Sequence, residues 1–103
     1  IVNSIGGLKL TSPSMDLAIA ISIYSSFENK NIDKNSVFLG EIGLSGEIRG
    51  IGNIIERITE LNRLRYKTCY LPFINFNDKI KNIFNDKIIL IPVKSLQDII
   101  GKI

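Results

Sequence analysis

The hydrophobic positions of this chain alternate between strand-like runs and helix-like stripes. Residues 1–10 are mostly apolar and predict a strand, with Gly6-Gly7 as a bulge or a bend. Ser12-Pro13 predicts the start of a helix that runs to about Phe27, because serine supplies an N-cap oxygen and proline suits the first helical position. This helix has almost no polar face, so we expect it to be central and mostly buried.

The middle of the chain predicts a hairpin followed by an amphipathic helix. Residues 37–44 and 47–51 have the pattern of two strands around a Ser45-Gly46 turn. Asn53 is placed to cap a helix over residues 54–65, whose apolar stripe has helical spacing. That stripe consists of Ile54, Ile58, Leu61 and either Leu64 or Arg65.

Two more apolar strands are expected, each beside a proline. Residues 67–71 form the first, closed by Pro72. Residues 87–91 form the second, and Pro92 should either end its pairing or place it at an edge of the sheet, since proline has no N–H to donate.

Two short helices complete the predicted elements. One is expected within the connector at residues 78–84, and a terminal one at 96–100, with Ser95 as its cap and Gly101 as its stop. Strands that alternate with helices, with one hairpin inserted, predict an α+β fold. We expect an α/β sandwich of a mixed sheet and packed helices.

Composition limits the function classes. The 103 residues are 45% hydrophobic and 22% charged, which fits a single domain over residues 1–103. The chain begins at Ile1, so we expect it to be a fragment of a longer protein. Its net charge of +3 permits contact with nucleic acid without requiring it. No apolar run approaches the roughly 18 residues of a membrane span, so no membrane partner is expected.

Cysteine and histidine usage excludes several kinds of site. Cys69 is the only cysteine and there is no histidine, so this segment has no internal disulfide, no histidine-based triad and no closed Cys/His zinc site. No metal site is expected in it. We interpret Cys69 as a buried structural thiol, because no basic residue partners it by motif.

Two polar residues open apolar segments and stand 43 positions apart: Ser14 and Arg57 (57 − 14 = 43). Ser14 falls in the first turn of its helix, where free N–H groups can host an oxyanion, although it could simply cap that helix. Arg57 lies on or beside the inward stripe of its own helix, so it is either a snorkelling surface arginine or the partner of a carboxylate such as Asp16.

This layout resembles the proteolytic domain of Lon proteases. Ser14 matches the nucleophile, Arg57 stands at the lysine of the Ser-Lys dyad, and Asp16 stands where the Lon motif has glycine. A guanidinium has no acceptor and does not deprotonate in proteins, so Arg57 cannot serve as general base. The resemblance implies a Lon-type fold with no catalytic residue, in which an Asp16–Arg57 ion pair replaces the dyad.

Five sequence blocks span nearly the whole chain: Val2-Asn3-Ser4-Ile5-Gly6-Gly7, Met15-Asp16-Leu17-Ala18, residues 39–49, Glu56-Arg57 and Tyr70-Leu71-Pro72. On these blocks the chain is still more similar to the inactive Lon-like domain that closes the RadA (Sms) family of bacterial DNA-repair proteins. One departure is Arg65-Tyr66, where the family usually has Gly-Phe after the second helix.

The resemblance implies a non-enzymatic role inside a larger cytoplasmic protein. This domain would serve as an assembly scaffold in a hexameric ring, with single-stranded or branched DNA and a RecA-type recombinase as partners. The parent would be a DNA-dependent ATPase that holds ATP, Mg and Zn elsewhere. Residues 40–43 and 50–52 are Gly-rich but lack the Lys-Ser/Thr ending of a P-loop, so no cofactor is expected in this segment.

The candidate DNA contacts cluster around the second helix and its exit: Arg49, Arg63, Arg65 and Lys67. A solvated polar face explains the same residues. The alternative function is an active Lon-type ATP-dependent serine peptidase that uses Ser14, and a weaker one is a stand-alone Lon-fold binding protein. Arg57 and Asp16 both argue against the peptidase.

Overall fold

The computed structural model describes the backbone of residues 4–5 and 8–9, and all of residues 15–103. In chain order the elements are β1 (Ser4–Ile5), β2 (Leu8–Lys9), α1 (Asp16–Glu28), β3 (Ser36–Phe38), β4 (Glu41–Ile42), β5 (Ile48–Arg49), α2 (Ile54–Arg63), β6 (Thr68–Pro72), a 3-10 turn (Phe73–Asn75), α3 (Asp78–Ile83), β7 (Ile89–Val93) and α4 (Leu96–Ile100). The predicted α+β class is confirmed. None of the described helices is long and apolar enough to cross a membrane.

The first ten residues do not form the single bent strand that was predicted. Instead β1 pairs antiparallel with β2, so the chain reverses between them. A two-residue connection is the length of the tightest β-hairpin, which explains how so short a segment can pair with itself. Gly6 and Gly7, expected to form a bulge or a bend, lie outside the described residues.

A parallel sheet of three strands forms the centre of the domain. Its order is β3-β6-β7, and β6 pairs parallel with both neighbours. Pro72 continues β6 rather than closing it, since it pairs with Val93. Pro92 lies within β7, opposite Leu71, and does not end the pairing. The alternative prediction, an edge strand, is confirmed, and an edge is where a proline can lack its N–H without breaking the ladder.

Alternate residues of β6 face two separate hydrophobic clusters, so helices cover both sides of the sheet. Cys69 and Leu71 pack with Ile58 and Leu61 of α2 and with residues of α3. Tyr70 packs on the other side with residues of α1 and α4, and its ring stacks on Phe38 with centroids 4.6 Å apart. Cys69 is fully buried, so it is a core residue as predicted, and this burial raises the pKa of its thiol to about 12.

Helix α1 is less buried than its all-apolar sequence predicts. Leu17 and Ile21 are buried against the sheet, but Ile19, Ile23 and Phe27 are 42%, 55% and 85% exposed. The prediction of a mostly buried helix is wrong because, within the described residues, α1 packs on one side, chiefly against β3 and β4. Its end at Glu28 agrees with the sequence, whereas the predicted Ser12-Pro13 start lies outside the described residues.

The predicted strand over residues 37–44 is two strands that belong to different sheets. β3 joins the parallel sheet, while β4 pairs antiparallel with β5 in a separate hairpin that turns at Ser45-Gly46 as expected. The break falls at Gly40, whose carbonyl accepts from the N–H of Leu17 at 3.1 Å. A Cβ at Gly40 would lie 2.8 Å from Ile48 Cγ2, so only glycine lets the chain pass so close to β5.

The remaining helices agree closely with the sequence patterns. α4 has the predicted bounds, with Ser95 and Gly101 at its two ends. α3 ends one residue earlier than predicted and is capped by Asn77, whose Oδ1 accepts from Ile80 N–H at 2.9 Å. In α2, Ile58 and Leu61 are fully buried as expected. Asn53 stands before α2, but its side chain makes no capping bond.

Candidate functional site: a degenerate dyad and a cationic groove

Arg57, at the position of the dyad lysine, is bonded to the loop that enters its own helix. Its Nε donates to the carbonyl of Gly52 at 2.9 Å, and its backbone N–H donates to Asn53 O at 3.0 Å. The side chain is half-buried. A guanidinium held in this way is a donor only, so it supplies positive charge and shape but cannot accept a serine proton.

Asp16 and Arg57 do not form the predicted ion pair. No salt bridge joins them among residues 15–103, which include both. Asp16 turns towards β4, where its Oδ2 accepts from the N–H of Ile42 at 3.4 Å. Each side chain therefore has a backbone partner of its own, and satisfying those groups separately avoids bringing two half-buried charges together.

The structure brings the starts of α1 and α2 into one core. Ser14 lies outside the described residues, but the residue after it, Met15, is 2% exposed and belongs to the same buried cluster as Ile58, the residue after Arg57. Each dyad position is therefore followed along the chain by a side chain of this buried cluster.

Two hydrogen bonds from one side-chain amide fix the loop before α2, and no sequence pattern predicts them. The side chain of Asn75, in the 3-10 turn, accepts from Ile51 N–H and donates to Ile51 O, both at 2.9 Å. Close packing accompanies it, since a Cβ at Gly50 would lie 2.8 Å from Ile74 Cγ2. Asparagine in a connector carries no local signal for a contact 24 residues away, so no sequence pattern could have identified it.

Two of the four candidate DNA contacts are occupied by carboxylates. Arg49 lies between Glu47 and Glu41, at N···O distances of 3.3 and 3.9 Å. Backbone N–H groups at Glu47 and Ser45, and then Arg49, lower the pKa of the Glu47 carboxyl. Arg63 pairs with Glu60 one turn earlier, with Nε···Oε1 at 3.0 Å. Both guanidiniums are partly neutralised where they lie.

The other two candidates, Arg65 and Lys67, line a groove of about 790 Å³. Two further lysines, which no sequence motif singles out, line it with them. Arg65 and Lys67 follow α2, while Lys81 is in α3 and Lys87 lies just before β7. All four side chains are exposed. The missed lysines are 16 or more positions from Arg65, so the sequence could not show that the fold would bring them to the same surface.

Metal-binding chemistry finds no support in the described residues. Within that part of the chain no group of three or more His, Cys, Asp or Glu side chains converges. Among the residues that the structure describes, Asp86 is the one carboxylate that lines the groove.

The sequence profile of the family described as subunit ChlI of Mg-chelatase matches residues 2–75, almost three quarters of the chain. The chain belongs to this family. The match includes the dyad positions Ser14 and Arg57, the Asn75 side chain that bonds to Ile51, and the four DNA-contact candidates of the sequence. Lys81 and Lys87 lie beyond it.

This member of the ChlI family is also similar to proteins named DNA repair protein RadA. It is 44% identical to the one from Halalkalibacterium halodurans over 71 residues, which cover 69% of this chain and 16% of that protein. It is 41% identical to the Chlamydia trachomatis protein over 93 residues, 90% of this chain and 20% of that protein. It is 36% identical to the Streptococcus pneumoniae protein over 103 residues, 99% of this chain and 24% of that protein. The chain therefore spans at most about a quarter of these relatives.

Proposed function

We propose that this chain is a non-proteolytic domain of a RadA-type DNA repair protein, with the Lon-like fold that its motifs suggest. Similarity to three proteins named DNA repair protein RadA supports this, since it extends over 69–99% of the chain. The non-proteolytic part of the proposal rests on Arg57, whose Nε donates to Gly52 O. A hydrogen-bond donor therefore stands where a Ser-Lys peptidase needs a general base.

Within the parent protein, the domain acts as a ring-assembly scaffold and as a DNA-contacting surface. ATP, Mg and Zn belong to other parts of the parent, which is a DNA-dependent ATPase working in the cytoplasm beside a RecA-type recombinase. A hexameric ring would align six copies of a modest basic surface, and linked copies bind a polymer more tightly than one copy does. Binding should fall steeply with salt and vary little with sequence.

The experiment that tests this proposal separates peptidase chemistry from repair. Ser14→Ala is introduced into the full-length protein, and cells carrying it are compared with wild type for survival after DNA damage. We expect equal survival, and no cleavage of unfolded casein by either protein. Arg57→Lys should not restore cleavage on its own, because an ammonium that takes over the bond to Gly52 O is stabilised in its charged form. Loss of repair in Ser14→Ala together with casein cleavage by wild type would establish the serine peptidase instead.

A further inference from the structure

The groove between the end of α2, helix α3 and the start of β7 is cationic. Among the described residues, four cations and one carboxylate line it, so their formal charges sum to +3 (4 − 1). The net charge of the whole chain is also +3. Positive charge gathered around one concavity attracts polyanions far better than the same charge spread over a surface.

The groove cations are free to bind a ligand. Within residues 15–103, none of Arg65, Lys67, Lys81 and Lys87 takes part in a salt bridge, whereas Arg49 and Arg63 do. Phosphate groups could therefore contact the four groove cations without first displacing a carboxylate.

Backbone hydrogen bonds fix the segments that carry these cations. The N–H of Lys67 donates to Asn35 O at 2.9 Å, and its carbonyl accepts from Ile89 N–H at 2.9 Å. The N–H groups of Arg65 and Lys87 donate to Asn62 O and Phe84 O, both at 3.0 Å. Because the backbone is already held, ligand binding has to order only the side-chain ends, which lowers its entropic cost.

The interior of the groove is apolar and partly aromatic. Tyr66 and Phe76 are half-buried and line it, and Phe84 and Ile88 close it from below at 3% and 7% exposure. An aromatic and aliphatic surface of this kind packs against the flat face of a base, while the cations on the rim reach phosphates on either side. In a duplex the flat face of each base is covered by the base stacked on it, so a duplex offers this interior no free base face to bind.

We propose that this groove binds single-stranded nucleic acid, with phosphates at Arg65, Lys67, Lys81 and Lys87 and a base against Tyr66 and Phe76. This inference rests on the proposed function and narrows it, because it moves the DNA-binding surface away from Arg49 and Arg63. The volume of about 790 Å³ is in the range of pockets that enclose drug-sized groups, so it has room for a nucleobase.

The test uses the full-length protein and fluorescence anisotropy of a labelled oligothymidine at rising KCl. The groove variant replaces Arg65, Lys67, Lys81 and Lys87 by Gln. The control variant replaces the exposed Lys30, Lys34, Lys79 and Lys102 by Gln, so both have the same net charge. We expect the groove variant to bind at least about tenfold more weakly, with a salt slope that falls by roughly 0.7 for each phosphate it no longer neutralises. The control should stay within about twofold of wild type.

Equal reductions in affinity in the two variants would overturn the groove assignment, because net charge alone would then explain binding. Circular dichroism checks that both variants are folded. If the four-fold variant unfolds, Lys81→Gln and Lys87→Gln replace it, since both side chains are exposed. A wild type that binds no nucleic acid would refute the DNA-contacting function itself, whereas binding that ignores the groove variant refutes only this inference.

Further probes test the base-stacking surface. Tyr66→Leu keeps an apolar side chain and removes the aromatic ring, so it should weaken binding of oligothymidine while leaving that of inorganic polyphosphate unchanged. A duplex of mixed sequence should bind more weakly than the single strand. Polyglutamate that competes as well as oligothymidine, with the same dependence on the four cations, would show a general site for acidic chains and overturn the nucleic-acid assignment.

Discussion

The side-chain amide of Asn75 pairs with the backbone of Ile51 as a neighbouring strand would. Its Oδ1 accepts from Ile51 N–H and its Nδ2 donates to Ile51 O, both at 2.9 Å. Ile51 lies in the loop between β5 and α2, and this loop ends one residue before the helix that carries Arg57. The amide of Asn75 thus ties the loop that enters α2 to the 3-10 turn.

Removing that amide should destabilise the domain. Asn75→Ala leaves the backbone N–H and C=O of the partly buried Ile51 without their partner, and the expected decrease in free energy of unfolding is about 1–3 kcal/mol. Asn75→Asp keeps the acceptor and removes the donor, so it should also destabilise. Urea unfolding measures both. Asn82→Ala, on the exposed side of α3, is the control and should change stability by less than about 0.5 kcal/mol. Equal stability of Asn75→Ala and wild type would show that water replaces the two hydrogen bonds of the Asn75 side chain.

Acid should weaken the β4–β5 hairpin through Glu47. Hydrogen bonds from backbone N–H groups at Glu47 and Ser45, followed by Arg49, lower the pKa of the Glu47 carboxyl below its ordinary value of 4.5. A carboxyl whose pKa is lower in the folded state stabilises folding above the unfolded-state pKa. That contribution disappears as the pH falls from 4.5 through the lowered value.

The Glu47→Gln variant tests this pH dependence. Its urea midpoint should lie below that of wild type near neutral pH, and the difference should shrink as the pH falls below 4.5. Glu28→Gln is the matched control, because Glu28 is exposed and forms no salt bridge within residues 15–103. A difference between Glu47→Gln and wild type that grows towards acid pH would contradict the assigned direction.

Elements whose ends carry their own signals could be predicted from the sequence. α4 has a serine before it and a glycine after it, and the structure places it at the predicted residues. The stripe of α2 likewise predicted the buried Ile58 and Leu61, because helical periodicity depends only on near neighbours. Such features are local, and local patterns do not depend on how the chain folds back on itself.

Features that depend on distant parts of the chain could not be predicted. Gly40 divides residues 37–44 between two sheets because Leu17 and Ile48 approach it, and neither is near it in sequence. The four candidate DNA contacts of the sequence, Arg49, Arg63, Arg65 and Lys67, lie close together along the chain. The fold left Arg49 and Arg63 with carboxylates and joined Arg65 and Lys67 to lysines from α3 and the segment before β7.

The two sides of α1 should respond differently to truncation. Ile21 is 2% exposed and packs in the core beneath the sheet, so Ile21→Ala should cost about 2–5 kcal/mol. Ile23 is 55% exposed, so Ile23→Ala should change the stability of the chain by less than about 0.5 kcal/mol. Urea unfolding of the two variants decides this. Equal and large decreases in stability would mean that the outer side of α1 is covered in solution.

Arg65 combines a strained backbone with a groove cation, and substitution can separate the two. It adopts the left-handed conformation at φ 69°, which favours glycine. Arg65 N–H donates to Asn62 O and Tyr66 N–H to Leu61 O, the pattern of a Schellman cap. For a residue with a Cβ this conformation costs roughly 1–2 kcal/mol, and glycine avoids most of it.

Arg65→Gly should therefore make the protein more stable and weaken its binding to nucleic acid. We expect a gain of roughly 0.5–1 kcal/mol, since the greater freedom of glycine in the unfolded chain offsets part of the relief. Affinity for oligothymidine should fall, because the variant has one cation fewer to neutralise a phosphate. Arg63→Gly is the control. It should lower stability by about 1 kcal/mol, because glycine is a poor helix former. It should leave affinity unchanged, because Arg63 is already paired with Glu60. If Arg65→Gly gained stability and kept its full affinity, the left-handed arginine would be a tolerated substitution, and the groove would bind through its lysines alone.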